Sequence, residues 1–149
     1  MNKEFVPYEQ AIALKELGFN KSCFAFYHTE NQINLGYCIN GFQDNTTLEI
    51  KCTAPLWQQV SAWFRDTHLI FHTINHESIG SDEWVFTYEI SYLPKEHWDA
   101  KRRIPYFKSI DSFNGGGATY SGGWETFEET QLACLKQLIE LVKPHNENT

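Results

Sequence analysis

The sequence predicts an α+β fold: a mostly antiparallel sheet of about five strands with three main helices packed on one of its faces. Two observations lead to this class. Three segments carry apolar residues at helical spacing, and the segments between them alternate apolar and polar residues with the period of two typical of half-buried strands. Short turns connect the strand segments, which favours antiparallel pairing. We expect the helices to cover the sheet because an amphipathic helix must bury its apolar side.

The first helix is predicted from Pro7, a residue that suits the first helical position. Ala11, Leu14 and Leu17 follow at helical spacing, and Gly18 is a natural C-terminal cap. The start, the period and the stop signal therefore agree on one helix.

Three strands are predicted next, over 23–28, 33–40 and 48–52. Turn-forming residues separate them, so the three strands are expected to form an antiparallel meander. A second helix follows, for which Thr53 is the expected N-cap and Pro55 lies just inside. Its core-facing stripe is expected to contain Leu56, Val60, Trp63 and Phe64, with Trp57 widening it.

A hairpin is predicted from a strand over 69–74 and a long strand over 83–93. One face of the long strand carries large side chains that are expected to form core beneath the helices: Trp84, Phe86, Tyr88, Ile90 and Tyr92. A short helix is expected over 95–103. The last helix is predicted from a capping box formed by Thr126 and Glu129, and it is expected to end near Val142.

Length and composition predict one domain over 1–149, with a frayed tail over 143–149. A hydrophobic fraction of 42% and an aromatic fraction of 15% argue against disorder. No apolar run approaches the roughly 20 residues of a membrane span, and no signal peptide is recognised, so we expect a cytoplasmic protein. The net charge of −7 disfavours nucleic-acid binding, because such binding depends on Lys and Arg neutralising phosphates.

The four cysteines, Cys23, Cys38, Cys52 and Cys134, are scattered and form no C-x-x-C pair. We expect four reduced thiols that act as small apolar side chains. No nucleophile motif surrounds any of them, and a buried thiol such as that expected for Cys134 has a raised pKa and is inert.

Three histidines, His68, His72 and His76, are spaced four residues apart. Helical spacing would place them on one face as metal ligands. The segment is more typical of a strand, on which the outer pair lies too far apart to bind one ion. We therefore predict no metal site and no cofactor, although a site formed by His72 and a carboxylate elsewhere stays open.

A glycine-rich stretch over 114–117 precedes the last helix, and a basic cluster that includes Lys101, Arg102, Arg103 and Lys108 lies upstream. Backbone N–H groups at a helix N-terminus can bind an anion. However, Glu125, Glu128 and Glu129 occupy this end of the helix and would repel it. A turn-rich loop beside a solvated basic patch is the preferred interpretation.

Several aromatic residues also fall in this segment, including Tyr106, Tyr120 and Trp124. Rings in a loop either pack on the domain or form a recognition surface. We predict a non-enzymatic binding or interaction protein, with no catalytic residues, that uses the segment 103–124 to engage a protein partner or small ligand and that forms a homo-oligomer. Its expected binding residues are Arg102, Arg103, Tyr106, Tyr120 and Trp124. The alternative is a small hydrolase or nucleotide-binding enzyme that uses His72, the basic cluster and Glu89.

Three stretches considered together, 7–19, 54–65 and 132–140, carry a further signal. Their sequences include PYEQA, APLWQQ with WFR, and LACL with LIE. This combination resembles a group of small uncharacterised proteins encoded by gut bacteria and their phages or prophages. The resemblance implies an accessory protein of a mobile element or its host, and it implies no catalytic residue.

Overall fold

The computed structural model describes residues 3–30, 32–36, 50–78, 82–93, 108–111 and 123–143. Its elements are α1 (Tyr8–Glu16), β1 (Ala25–Thr29), β2 (Gln32–Leu35), β3 (Cys52–Thr53), α2 (Trp57–His68), β4 (Ile70–Ser78), β5 (Trp84–Tyr92), β6 (Lys108–Asp111) and α3 (Phe127–Val142). The α+β class is confirmed.

The expectation of one sheet with about five strands is wrong. The described strands form two three-stranded antiparallel sheets, ordered β2-β1-β3 and β4-β5-β6. The physical reason is that a period of two reports only which side chains share a face. Membership of a sheet depends on hydrogen bonds between residues far apart in the sequence, which local alternation does not encode.

The chain divides into two compact units, one formed by 1–63 with 139–149 and the other by 64–138. Both divisions fall inside helices, α2 and α3. The expected short helix over 95–103 lies outside the described residues, as does the tail beyond Lys143. Among the described helices, none is long and apolar enough to cross a membrane.

In the first unit, α1 ends in a Schellman motif centred on Gly18. The Gly18 N–H donates to the Lys15 carbonyl at 3.0 Å, and the Phe19 N–H donates to the Leu14 carbonyl at 2.9 Å. Gly18 has a φ of +91°, in the region that favours glycine. The predicted C-terminal stop is therefore confirmed. At the other end, Pro7 is the N-cap rather than the first helical residue.

The first sheet differs from the predicted meander because β1 lies in its centre. β1 pairs with β2, and its other edge pairs with β3 through Phe26 with Thr53 and Tyr27 with Cys52. The sheet is tied to the N-terminal segment by the Tyr27 hydroxyl, which donates a buried hydrogen bond to the Val6 carbonyl at 2.7 Å. The buried apolar side chains of this unit include Val6, Leu14, Phe19, Cys23, Ala25, Cys52, Val60 and Trp63.

Helix α2 begins at Trp57, so the prediction that Thr53 is its N-cap is wrong. Thr53 is buried in β3, where its backbone pairs with Phe26. The N-terminal turn of α2 is instead closed by the Gln59 side-chain oxygen, which accepts a hydrogen bond from the Leu56 N–H at 3.0 Å. The expected apolar stripe is largely confirmed, since Val60, Trp63 and Phe64 are buried.

In the second unit, the predicted hairpin is confirmed and is longer than expected. β4 and β5 pair antiparallel over nine positions, from Ile70 with Tyr92 to Ser78 with Trp84. β6 pairs with the far end of β5. The predicted start of α3 is confirmed, because the Thr126 hydroxyl oxygen accepts the Glu129 N–H at 3.2 Å, which makes Thr126 the N-cap. The buried side chains of this unit include Phe64, Ile70, Thr87, Tyr88, Ile90, Thr130, Cys134, Leu135 and Leu138.

Candidate functional site

Of the five residues expected to bind a partner, the structure describes Trp124. The other four, Arg102, Arg103, Tyr106 and Tyr120, lie outside the described residues, and so does the glycine-rich stretch 114–117. The segment 103–124 is represented by β6, Gly123 and Trp124. The candidate site therefore consists of Trp124 and the side chains around it.

Trp124 is fixed to the second sheet through its backbone. The Phe86 N–H donates to the Trp124 carbonyl at 2.8 Å, and the Trp124 N–H donates to the Phe86 carbonyl at 3.0 Å. Because Phe86 pairs with His76 of β4 on its other side, Trp124 lies on the edge of β5 that also pairs with β6. The Trp124 ring stacks on the Tyr88 ring, with centroids 5.5 Å apart and planes at 24°. Trp124 is thus ordered by the sheet.

Gly123 directly precedes Trp124, at a point where the backbone of this segment closely approaches β5. A Cβ at Gly123 would lie 2.6 Å from both Cβ and Cγ2 of Val85, which is far inside van der Waals contact. Only glycine lets this segment lie so close to β5. Gly123 therefore sets the position of the neighbouring Trp124.

The face of β5 that carries Trp84, Phe86, Tyr88 and Ile90 passes from core to surface along the strand. Ile90 is fully buried and Tyr88 is 8% exposed, whereas Trp84 is 60% exposed. The sequence prediction that all these side chains form core is confirmed for Ile90 and Tyr88 and wrong for Trp84. The reason is that alternation places side chains on a common face but does not say how far along the strand that face is covered.

Five rings collect at this exposed end of the sheet, and we call them the aromatic cluster: His76, Trp84, Phe86, Trp124 and Phe127. The centroids of the His76 and Trp84 rings are 5.3 Å apart. Phe86 meets Phe127 edge to face at 6.1 Å. Phe127, the first residue of α3, is 44% exposed. The aromatic cluster therefore combines rings that are partly packed on the sheet with two large rings that face water.

The segments that carry the aromatic cluster are acidic. The described residues 76–78, 82–86 and 123–130 contain no Lys or Arg, and they contain six carboxylates: Glu77, Asp82, Glu83, Glu125, Glu128 and Glu129. Two of these residues directly precede Trp84, and the last two directly follow Phe127. The charge carried by these described segments therefore favours a cationic ligand over an anionic one.

The acid–base pair suggested for an enzyme is not brought together. His72 pairs with Ile90 and Glu89 pairs with Thr73, and successive residues of a strand point to opposite faces. His72 and Glu89 therefore lie on opposite faces of the sheet. Burial lowers the pKa of His72, so its neutral form is favoured. Within the described part of the chain, no three His, Cys, Asp or Glu side chains lie together as a metal site would require.

The described cysteines are free thiols, and all three are buried. Burial raises the pKa of Cys134 to about 12, and it raises the pKa of Cys23 and Cys52 to about 11. A thiol with such a pKa carries almost no nucleophilic thiolate near neutral pH. The prediction of a buried Cys134 is confirmed, and Cys38 lies outside the described residues.

Sequence reasoning identifies Trp124 but misses the partners that the structure gives it. Phe127 directly follows the capping residue Thr126 and stands between Glu125 and Glu128, a polar setting that could have indicated an exposed ring. Trp84 likewise follows two acidic residues. His76 and Trp84 meet only because of the register of the hairpin, which the sequence does not state. No known protein family, curated protein or solved structure matches this chain.

Proposed function

We propose that this protein is a non-enzymatic binding protein that docks a protein partner on the aromatic cluster. The observation that carries the proposal is the exposure of Trp84 and Phe127, 60% and 44%, beside rings that are packed on the sheet. Exposed aromatic side chains that lie together mark interaction sites, and Trp is among the residues that contribute most to binding energy at protein interfaces.

The aromatic cluster suits binding because Trp124 and the backbone at the start of α3 are held in place before a partner arrives. Trp124 is paired with Phe86 through both backbone hydrogen bonds, and its ring stacks on Tyr88. Phe127 begins a helix whose N-terminus is closed by the Thr126 side chain. Preorganised side chains lose less conformational entropy on association, so more of the contact energy appears as affinity.

Binding also fits the chemistry of the described residues better than catalysis. His72 and Glu89 lie on opposite faces of the sheet, and the thiols of Cys23, Cys52 and Cys134 are buried. In this proposal the protein acts by binding a partner protein, as an accessory factor of a phage or other mobile element would. The second unit, 64–138, supplies all five rings.

A photo-cross-linking side chain in place of Trp84 tests this proposal, with the same side chain in place of Phe71 as the matched control. Phe71 is 44% exposed on the same sheet, but its position on β4 places it on the opposite face from Ile70 and the aromatic cluster. In the cell that produces the protein, position 84 should cross-link one protein and position 71 should not.

The cross-linked protein is then purified, and its affinity is measured for the wild type, Trp84→Ala and Phe71→Ala. We expect Trp84→Ala to weaken binding by at least tenfold, about 1.4 kcal/mol, as at a central interface aromatic residue. Phe71→Ala should bind as the wild type does. Equal affinity of Trp84→Ala and the wild type would refute the proposed site.

A further inference from the structure

We infer that the partner segment held by the aromatic cluster is basic, and that arginine side chains of that segment stack on the exposed rings. This inference rests on the proposed function and specifies the chemistry of the partner. It starts from two features at one end of the second sheet: exposed aromatic faces, and described neighbouring segments that carry carboxylates but no Lys or Arg.

The exposed aromatic rings provide the first of the two interactions expected with an arginine side chain. The face of an aromatic ring carries negative electrostatic potential, and Trp attracts a cation more strongly than Tyr or Phe does. Trp84 is the most exposed large apolar side chain among the described residues. A planar guanidinium can lie flat on such a ring, whereas the compact ammonium of Lys is more strongly hydrated and stacks less well.

The neighbouring carboxylates provide the second interaction expected with an arginine side chain. Asp82 and Glu83 adjoin Trp84 in the chain, and Glu125 adjoins Trp124. All three are exposed, so they remain solvated until a partner arrives. A guanidinium that stacks on a ring can still donate hydrogen bonds in its own plane to a nearby carboxylate, and this geometry is the strong form of the Arg–carboxylate pair.

Charge separates this inference from the other ligands that use aromatic platforms. Single-stranded nucleic acid stacks on exposed rings, but its binding grooves are positively charged. The described residues 76–78, 82–86 and 123–130 carry six carboxylates and no Lys or Arg, so they would repel a phosphate backbone. A basic peptide segment is attracted by the same arrangement.

The experiment uses the full chain and short fluorescent peptides of equal length, with binding followed by fluorescence anisotropy at low and high salt. Four peptides share one scaffold and carry Arg, Lys, Gln or Glu at the variable positions; a single-stranded oligonucleotide is the fifth probe. We expect the Arg peptide to bind most tightly, the Lys peptide more weakly, and the Glu peptide and the oligonucleotide not at all. Trp84→Ala should weaken the Arg peptide about fivefold, the value of an exposed cation–π contact.

Because the whole chain has a net charge of −7, a basic peptide could associate with it without using this site. The double variant Glu83→Gln/Glu125→Gln is therefore compared with Glu9→Gln/Glu16→Gln, two exposed glutamates of α1. Each pair removes two negative charges and so changes the net charge from −7 to −5. The first pair should weaken binding of the Arg peptide more than the second pair does.

The outcomes separate the inference from the proposed function. If the Gln peptide binds as tightly as the Arg peptide and loses affinity with Trp84→Ala, the basic partner is refuted and the aromatic docking site stands. If the two glutamine pairs weaken the Arg peptide equally and Trp84→Ala has no effect, the attraction is diffuse and the inference is refuted. The affinity of Trp84→Ala for the cross-linked partner is measured separately. A loss of that affinity supports the proposed function, and an unchanged affinity refutes it.

Discussion

Gly123 passes so close to Val85 that a methyl group on its α-carbon would meet the Val85 Cβ at 2.6 Å. The contact is with the branch point of a side chain and not with a flexible tip, so Val85 cannot simply rotate away. The close contact between Gly123 and Val85 allows the backbone of Trp124 to pair with that of Phe86. The position of the aromatic cluster therefore depends on the absence of a side chain at residue 123.

Gly123→Ala should lower the free energy of unfolding by about 1–3 kcal/mol, the usual cost of overpacking. It should also change the near-UV circular dichroism, because displacement of Trp124 would disturb its stack on Tyr88. Urea denaturation measures the first effect. The double variant Gly123→Ala/Val85→Gly is the control: removing the whole Val85 side chain, including its Cβ, should make the alanine at 123 much less costly. An equal cost of Gly123→Ala in the wild-type and the Val85→Gly backgrounds would contradict the steric explanation.

Gly18→Ala should destabilise the protein by about 1 kcal/mol, although nothing lies within 4 Å of the added Cβ. The cost is purely conformational, because Gly18 has a φ of +91° and an L side chain rarely adopts it. Gly18→Asn should cost less, since Asn tolerates left-handed backbone better than Ala. Thermal or urea unfolding of the three proteins tests the order Gly, Asn, Ala, and an Ala variant as stable as the wild type would be inconsistent with it.

His72 should make folding sensitive to acid. Burial lowers its pKa below the ordinary value of 6.5, so below pH 6.5 the unfolded chain binds more protons than the folded chain does. The free energy of unfolding is therefore unaffected by His72 above pH 6.5 and falls as the pH drops from 6.5 towards the lowered pKa. His72→Gln should flatten this part of the stability profile relative to the wild type.

The matched control for His72 is His76→Gln, the same substitution four residues further along the same face. His76 is exposed, so this variant shows the effect of replacing a histidine by glutamine at a surface position of β4. Urea unfolding of the three proteins at a series of pH values gives the comparison. If His72→Gln and the wild type lose stability in parallel between neutral and acidic pH, the assignment to His72 is wrong.

The buried thiols should be chemically silent in the folded protein. In a Cys38→Ser background, a thiol reagent should find no reactive cysteine before denaturation and all three described cysteines after it. The reason is that burial raises the pKa of Cys134 to about 12 and that of Cys23 and Cys52 to about 11, which suppresses the thiolate. Fast modification of any of the three in native buffer would contradict their burial.

Local signals predict much of this fold correctly. Gly18 ends α1, Thr126 and Glu129 close the first turn of α3, and β5 carries Tyr88 and Ile90 on its buried face. These features depend on residues within a few positions of one another, so the sequence states them directly. Thr53 shows the limit of such signals. Thr is a residue type that favours the N-cap position, but the backbone of Thr53 pairs with Phe26, and this tertiary pairing overrides the local preference.

The candidate site is less predictable than the fold. Trp124 stands out in the sequence because it lies in a stretch rich in aromatic residues and glycine, and the structure places it in the aromatic cluster. Alternation assigns Trp84 to the core because it shares a face with Ile90. The strand continues beyond the covered part of that face, and Trp84 is exposed. Local periodicity cannot report where coverage ends, because coverage depends on other parts of the chain.

By itself, the sequence determined the class of elements, the C-terminal end of α1, both ends of α3, the β4–β5 hairpin and the acidic character of the segments around Trp84 and Trp124. Each of these follows from local backbone preference, side-chain period or charge. Only the tertiary structure decided that the strands form two sheets, that β3 pairs with β1, and that His76, Trp84, Phe86, Trp124 and Phe127 come together. Those relationships depend on strand register and on close backbone approach between distant residues. The contacts between such residues contribute to the free energy of folding only when the chain is folded.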